Sequence, residues 1–165
     1  MIGGIMVENG LYKVKDQYYI DFPHDMHIQQ KGGRPFYYAV KDNFGVYWLI
    51  PLSSQVDVYR QKIEAVEAKR GKGNCITYHI GIIANQERAF RICNMIPVSD
   101  EYVDGEFEIN GSHYVVGDLK LIREISIKSR NYIKQVELGR MYSQVDALSI
   151  RKKLLVVNQN KIQSE

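Results

Sequence analysis

The chain has 165 residues, 45% hydrophobic and 25% charged, with 22 Lys and Arg against 19 Asp and Glu. Such a chain builds one domain with a real core, which excludes collagen-like, low-complexity and wholly disordered proteins. The N-terminal MIGGIMVENG lacks a signal-peptide pattern, no apolar run reaches the roughly 18 residues of a membrane span, and Cys75 and Cys93 make no disulfide framework, so a cytoplasmic protein with reduced thiols and no membrane partner is expected.

The net charge of +3 is unevenly divided. Ser99 to Gly117 holds five acids (Asp100, Glu101, Asp104, Glu106, Glu108) and no Lys or Arg, which leaves +8 for the remainder. A chain polarised in this way can carry a cationic face while staying near neutral overall.

In chain order, Gly10 to Val14 reads as a short strand. Lys15 to Phe22 reads as a helical turn carrying Tyr18, Tyr19 and Phe22 inward and stopped by Pro23. His24 to Pro35 is polar with paired glycines, hence a loop. Phe36 to Val40 and Val46 to Leu52 are aromatic and β-branched strands joined by a hairpin turn. From Gln55 the period changes: Val56, Tyr59, Ile63 and Val66 predict a helix to Lys69, capped by Ser53 or Ser54. A basic loop, KRGKG, follows. Ile76 to Ile83, Ala89 to Ile92 and Met95 to Val98 read as strands. Phe107 to Ile109 and His113 to Val116 flank Asn110-Gly111, a type I′ hairpin signal, with His113 facing solvent. Asp118 should cap a helix to about Leu138 with Leu119, Ile122, Ile125, Ile133 and Val136 as its stripe, ended by Gly139. A last helix near Gln144 to Val156 precedes a polar tail. The expected organisation is α+β around a small, strongly bent sheet, with one domain over 1–157 and the tail over 158–165.

The residues that carry chemistry are few. No Walker A sequence, dinucleotide fingerprint or HExxH is present. His24 and His27 stand three apart in a loop without a third ligand, so no metal or other cofactor is expected. Ser53 and Ser54 end a buried strand and open a helix, where hydroxyls and backbone N–H groups suit an anion; the same position also suits a simple helix cap. His79 is a lone histidine on a strand, able to be a structural hydrogen-bonding residue or a proton carrier. Twelve tyrosines are mostly core, yet aromatic residues beside basic loops are also how proteins stack unpaired bases. Lys120, Arg123, Lys128, Arg130 and Lys134 add cations along the long helix.

Four segments in order, Arg34-Pro35-Phe36-Tyr37-Tyr38-Ala39-Val40, Tyr47 to Pro51-Leu52-Ser53-Ser54, Cys75 to His79, and Asn94-Met95-Ile96-Pro97-Val98, resemble the toxins of type III toxin–antitoxin systems, the ToxN/AbiQ/CptN-like endoribonucleases. The resemblance spans about Gly10 to Leu138. It implies a compact, barrel-like antiparallel core of the Kid/MazF type decorated by helices. It implies metal-independent cleavage of single-stranded RNA, cellular or phage, giving 2′,3′-cyclic phosphate and 5′-OH ends. It also implies an inhibitor, a small folded pseudoknot RNA that the toxin cuts from a repeat array and binds in a symmetric assembly, with a role in phage defence by abortive infection.

By this resemblance Ser53 and Ser54 match the family's hydroxyl pair, Arg34 a basic residue that is lysine elsewhere, and His79 a histidine after a Cys-containing strand. A lysine that can follow the serine pair is replaced by Gln55 and Val56, and an upstream tyrosine has no clear equivalent. The expected roles are Arg34 and Ser54 on the scissile phosphate, Ser53 on the 2′-OH or as a cap, and His79 moving a proton. Tyr38, Lys41, Lys69, Arg70, Lys72, Lys120, Arg123, Lys128 and Arg130 are the expected RNA contacts. A non-catalytic RNA-binding barrel and a small serine hydrolase are the alternatives.

Overall fold

A computed structural model describes residues 6–22, 33–143 and 145–164. Its strands are β1 (Leu11–Val14), β2 (Phe36–Lys41), β3 (Tyr47–Ser53), β4 (His79–Ile83), β5 (Gln86–Phe90), β6 (Ile96–Val98), β7 (Val103–Glu106), β8 (Glu108–Ile109) and β9 (Ser112–His113). Its helices are α1 (Asp16–Asp21), α2 (Val56–Arg70), α3 (Leu119–Glu137) and α4 (Ala147–Gln163). None of them is long and apolar enough to cross a membrane.

The two aromatic segments pair at the centre of an antiparallel sheet, because nearly every residue of both strands is buried. The order is β4-β5-β3-β2-β1-β7, with β6 also on β3. One edge of β3 serves two partners: Tyr47 to Leu49 pair with β6, and Leu52 and Ser53 pair with β5. Pro51 stands where the partner changes, a place in a central sheet that tolerates a residue without an N–H. This branching, with a bulge between Tyr38 and Val40, bends the sheet. The bend does not close it. Among the described residues β4 and β7 form opposite ends, so the barrel-like core is an open sheet.

Trp48, fully buried, anchors the β2–β3 end by donating from Nε1 to Asp42 Oδ2 at 2.8 Å. Asp42 also accepts from the Phe44 and Val46 N–H groups, which shapes the connecting turn. Arg151 of α4 reaches the same carboxylate at 3.2 Å, pairs with Glu137 at 2.9 Å and stacks on Phe44, tying α4 to α3 and to the sheet. α2 packs on β4 and β5, α3 crosses β2, and α4 covers β6.

Several expectations shift. Asp118 Oδ1 does cap α3, accepting from the Lys120 and Leu121 N–H groups. Leu119, however, is 75% exposed in the first turn, and Leu121 and Tyr132 join Ile125, Ile133 and Val136 on the buried face. The β8–β9 hairpin turns on Asn110 and Gly111 at φ 55° and 81° as its sequence requires. His113 turns inward instead of facing solvent: its Nε2 lies 3.0 Å from the Leu11 carbonyl and its Nδ1 3.1 Å from Glu106. Gly10 makes room for it, since a Cβ there would sit 2.8 Å from the ring. α4 runs through Gln163, so the expected tail is largely its last turns. The strand read from Ile76 begins only at His79.

Candidate functional site

The last β2–β3 pair is Phe36 with Pro51, and continuing that register sets Arg34 opposite Ser53. Cross-strand partners share a face of an antiparallel sheet. Ser53 pairs with Ala89, which pairs with Ile80, so these three face the side that α2 covers. The turn into α2 is tight: Ser53 Oγ accepts from the Gln55 N–H at 3.1 Å, and the Ser54 carbonyl accepts from the Val56 N–H. Neither serine caps α2; Gln55 holds that position without a side-chain cap bond. Ser53 therefore keeps its own O–H proton to donate outward. Ser54 and Arg34 are exposed beside it.

Two further residues, not foreseen from sequence, gather on this face. Arg91 donates its backbone N–H to the Pro51 carbonyl at 3.1 Å, which sets its side chain diagonal to Ser53. Its guanidinium carbon lies 5.7 Å from the centre of the Tyr59 ring. Lys62, one turn along α2, places Nζ 5.3 Å from Tyr59 and 5.5 Å from Tyr78.

His79 belongs to the other face. It pairs with Phe90, which pairs with Leu52, so its side chain and that of Ser53 leave opposite sides of the sheet. Two strand spacings, about 10 Å, separate the two strands that carry them. The continued register thus sets Arg34 toward Ser53 and Ser54 at one end of β3, with His79 apart from them. Both imidazole nitrogens are engaged by α3: Nε2 with Glu124 Oε2 at 2.9 Å and Nδ1 with Lys128 Nζ at 2.9 Å. Burial above all, and then the Lys128 cation, push the His79 pKa down against the opposing pull of Glu124. A neutral ring that accepts from Lys128 and donates to Glu124 satisfies all three groups.

The sign of the resulting pH dependence follows. An unfolded histidine takes up a proton near pH 6.5, above the folded group, so its contribution is complete above about pH 6.5 and is lost as pH falls below it. Chemical denaturation should therefore show stability declining through that window in the native protein and a flatter profile in His79→Gln. Lys128→Gln removes a cation that holds the ring neutral, so NMR titration should find the His79 pKa raised. An unchanged titration in Lys128→Gln would contradict the contact.

Lys128 also lies between two grooves that share Gly73 and Glu124. One, roughly 590 Å³, is lined by Arg70, Asn74, Lys128, Asn131 and Arg140 among others; the second, roughly 460 Å³, includes Arg60, Lys72 and His79. Of the expected RNA contacts, Arg70, Lys72 and Lys128 thus come together. Lys69 is exposed in the last turn of α2, and Lys120, Arg123 and Arg130 are exposed on α3, but none of these four lines either groove. Lys41 stands away on β2 over the Tyr47 ring. Tyr38 is 5% exposed, held edge-on between Tyr12 and Tyr47, which makes it a core residue and removes it as a stacking platform. Arg140 was not foreseen; the chain reversal after Gly139 (φ 70°) turns it back beside α3. The spacing of Glu124, Lys128, Asn131 and Gln135, which marks one polar helix face, was the available signal. The acidic strand β7 lies at the far end of the sheet from β4. His24 and His27 fall outside the described residues.

No family model matches the chain, and no curated protein matches its sequence. Among solved structures the chain is similar to one described as "A processed non-coding RNA regulates a bacterial antiviral system". The likeness covers 88% of this chain and 96% of that one, at a TM-score of 0.57 and 14% identity. The two chains share a fold. The shared fold bears out the α+β class expected from the sequence.

Proposed function

We propose that this protein is an endoribonuclease toxin of a type III toxin–antitoxin system, acting in the cytoplasm on cellular or phage RNA. The reading is supported by the β2–β3 register, which when continued sets Arg34 opposite Ser53 and next to Ser54, in a fold shared with a protein of an RNA-regulated antiviral system. RNA cleavage without an external nucleophile needs the ribose 2′-OH to attack its own phosphate. The 2′-oxygen gives up its proton as it bonds to phosphorus, the bond from phosphorus to the 5′-oxygen breaks and that oxygen takes up a proton, and a 2′,3′-cyclic phosphate and a 5′-OH remain. Such a reaction asks the protein chiefly for donors to the equatorial oxygens as negative charge develops there. The Arg34 guanidinium and Ser54 hydroxyl supply them, and the Ser53 hydroxyl, its oxygen already fixed by Gln55 N–H, orients the 2′-OH side.

His79 takes a different part from proton transfer at that phosphate, because it lies on the opposite face with both nitrogens occupied. In this reading it positions Lys128 in the cationic groove, where Arg70, Lys128 and Arg140 follow the backbone of a folded inhibitor RNA, a pseudoknot cut from a repeat array and held in a symmetric assembly. The reaction requires no metal in this scheme. The test is to incubate the purified protein, in chelator, with a transcript of tandem repeats. Discrete repeat-length fragments are expected. RNA that is bound and left intact would instead favour the non-catalytic RNA-binding module.

A further inference from the structure

We infer that Arg91 is a third phosphate-holding residue of the β3-end site, acting with Arg34 and Ser54 on the backbone of a single RNA strand; this rests on the proposed function. Three observations converge on it. First, register: Arg91 stands opposite Pro51 and diagonal to Ser53 on the same face, a separation that long side chains span. Second, Arg91 Nε is buried with no hydrogen-bond partner among the described residues. A buried N–H without an acceptor is costly, and such groups in native proteins call for an explanation. Third, the local charge is unbalanced. Arg91 and Lys62 both converge on the Tyr59 ring, and among the described residues neither forms a salt bridge to a carboxylate, whereas Arg60 and Arg151 do.

Two cations gathered on one aromatic ring without an acid repel each other and attract an anion. The Tyr59 face restrains the guanidinium plane, which leaves its edge to donate in the fork geometry that matches a phosphate. A lysine at position 91 would keep the charge and lose the fork. The sequence gives no motif for this residue, because its placement depends on the β3–β5 pairing and on α2 folding over it.

The experiment separates this proposal from the nuclease reading by measuring binding and cleavage independently. Binding uses a single-stranded oligoribonucleotide with 2′-O-methyl groups throughout, which cannot be cut, titrated over a range of salt concentrations. Arg91→Gln should bind about five- to tenfold more weakly and lower the slope of log K against log salt by about 0.7, the loss of one single-strand phosphate contact. Arg91→Lys should keep the slope. On cleavable RNA, Arg91→Gln should lose about 10²-fold in kcat, and Arg91→Lys at least tenfold. If Arg91→Gln proves unfolded by circular dichroism, Arg91→Lys carries the test through its retained slope and reduced kcat. A protein that shows the slope change in Arg91→Gln but cuts no RNA would uphold Arg91 and sink the nuclease. A nuclease whose Arg91 variants bind and cut like the native chain would do the reverse. A native chain that neither binds the oligonucleotide nor cuts natural RNA would overturn both.

Discussion

Ser54→Ala should reduce RNA cleavage by about 10²–10³-fold, the loss expected when one preorganised donor to a developing oxyanion is removed. Ser54 is exposed at the end of β3 and does not cap α2, so the substitution deletes a hydroxyl without opening the core or freeing a helix end. The unfolding midpoint and the affinity for the folded inhibitor RNA should therefore stay near native values. Toxicity in cells should disappear with cleavage. Cells that die as readily with Ser54→Ala would remove Ser54 from the chemistry. Arg34→Gln should follow the same pattern with a larger effect on KM, since a guanidinium also binds the ground-state phosphate.

Replacing Arg70, Lys128 and Arg140 together by Gln should weaken binding of the folded inhibitor RNA by about a hundredfold at moderate salt and lower its salt slope by about 2.7, from three phosphate contacts on a duplex-like backbone. Cleavage of a short unstructured RNA should change by less than about threefold, because these side chains line a groove between the last turn of α2 and α3, whereas the β3 end opens into the first turn of α2. The acidic strand β7 sits at the other end of the sheet, so the charge division noticed in the sequence becomes a spatial one. Equal losses in inhibitor binding and in short-substrate cleavage would merge the two sites and contradict the separation.

What could be read from the chain was local. The paired aromatic strands, the Asn110-Gly111 turn, the Asp118 cap and the helical period after Gln55 all depend on neighbours within a few residues, and all appear. Properties set by long-range pairing were not legible. The face of His79 depends on its register with Phe90, and through Phe90 with Leu52, which no spacing announces. Leu119 fits a three-to-four repeat as well as Leu121 does, yet only the second lies over Gly81, where its side chain comes within 2.6 Å of a Cβ built there. A position just after the Asn-Gly turn points His113 to solvent; the close approach of Gly10 turns it inward. Tyr38 stands among the expected RNA contacts as a stand-in for the family's upstream tyrosine, while Tyr12 and Tyr47 enclose it in the core. For the β3 end, the motif Pro51-Leu52-Ser53-Ser54 was visible, but Arg91 was not, since forty residues separate it from Pro51 along the chain.

The most direct test of RNA cleavage at the β3 end is the chemistry of the RNA ends. A short RNA with a single cleaved linkage is treated with the native protein in chelator and its fragments are analysed by mass spectrometry, alongside the same RNA carrying 2′-deoxyribose at the cleaved nucleotide. The expected result is a 2′,3′-cyclic phosphate on one fragment, a 5′-OH on the other, and no cleavage of the deoxy substrate. Fragments with a 3′-OH and a 5′-phosphate, or cleavage that persists without the 2′-OH, would contradict it.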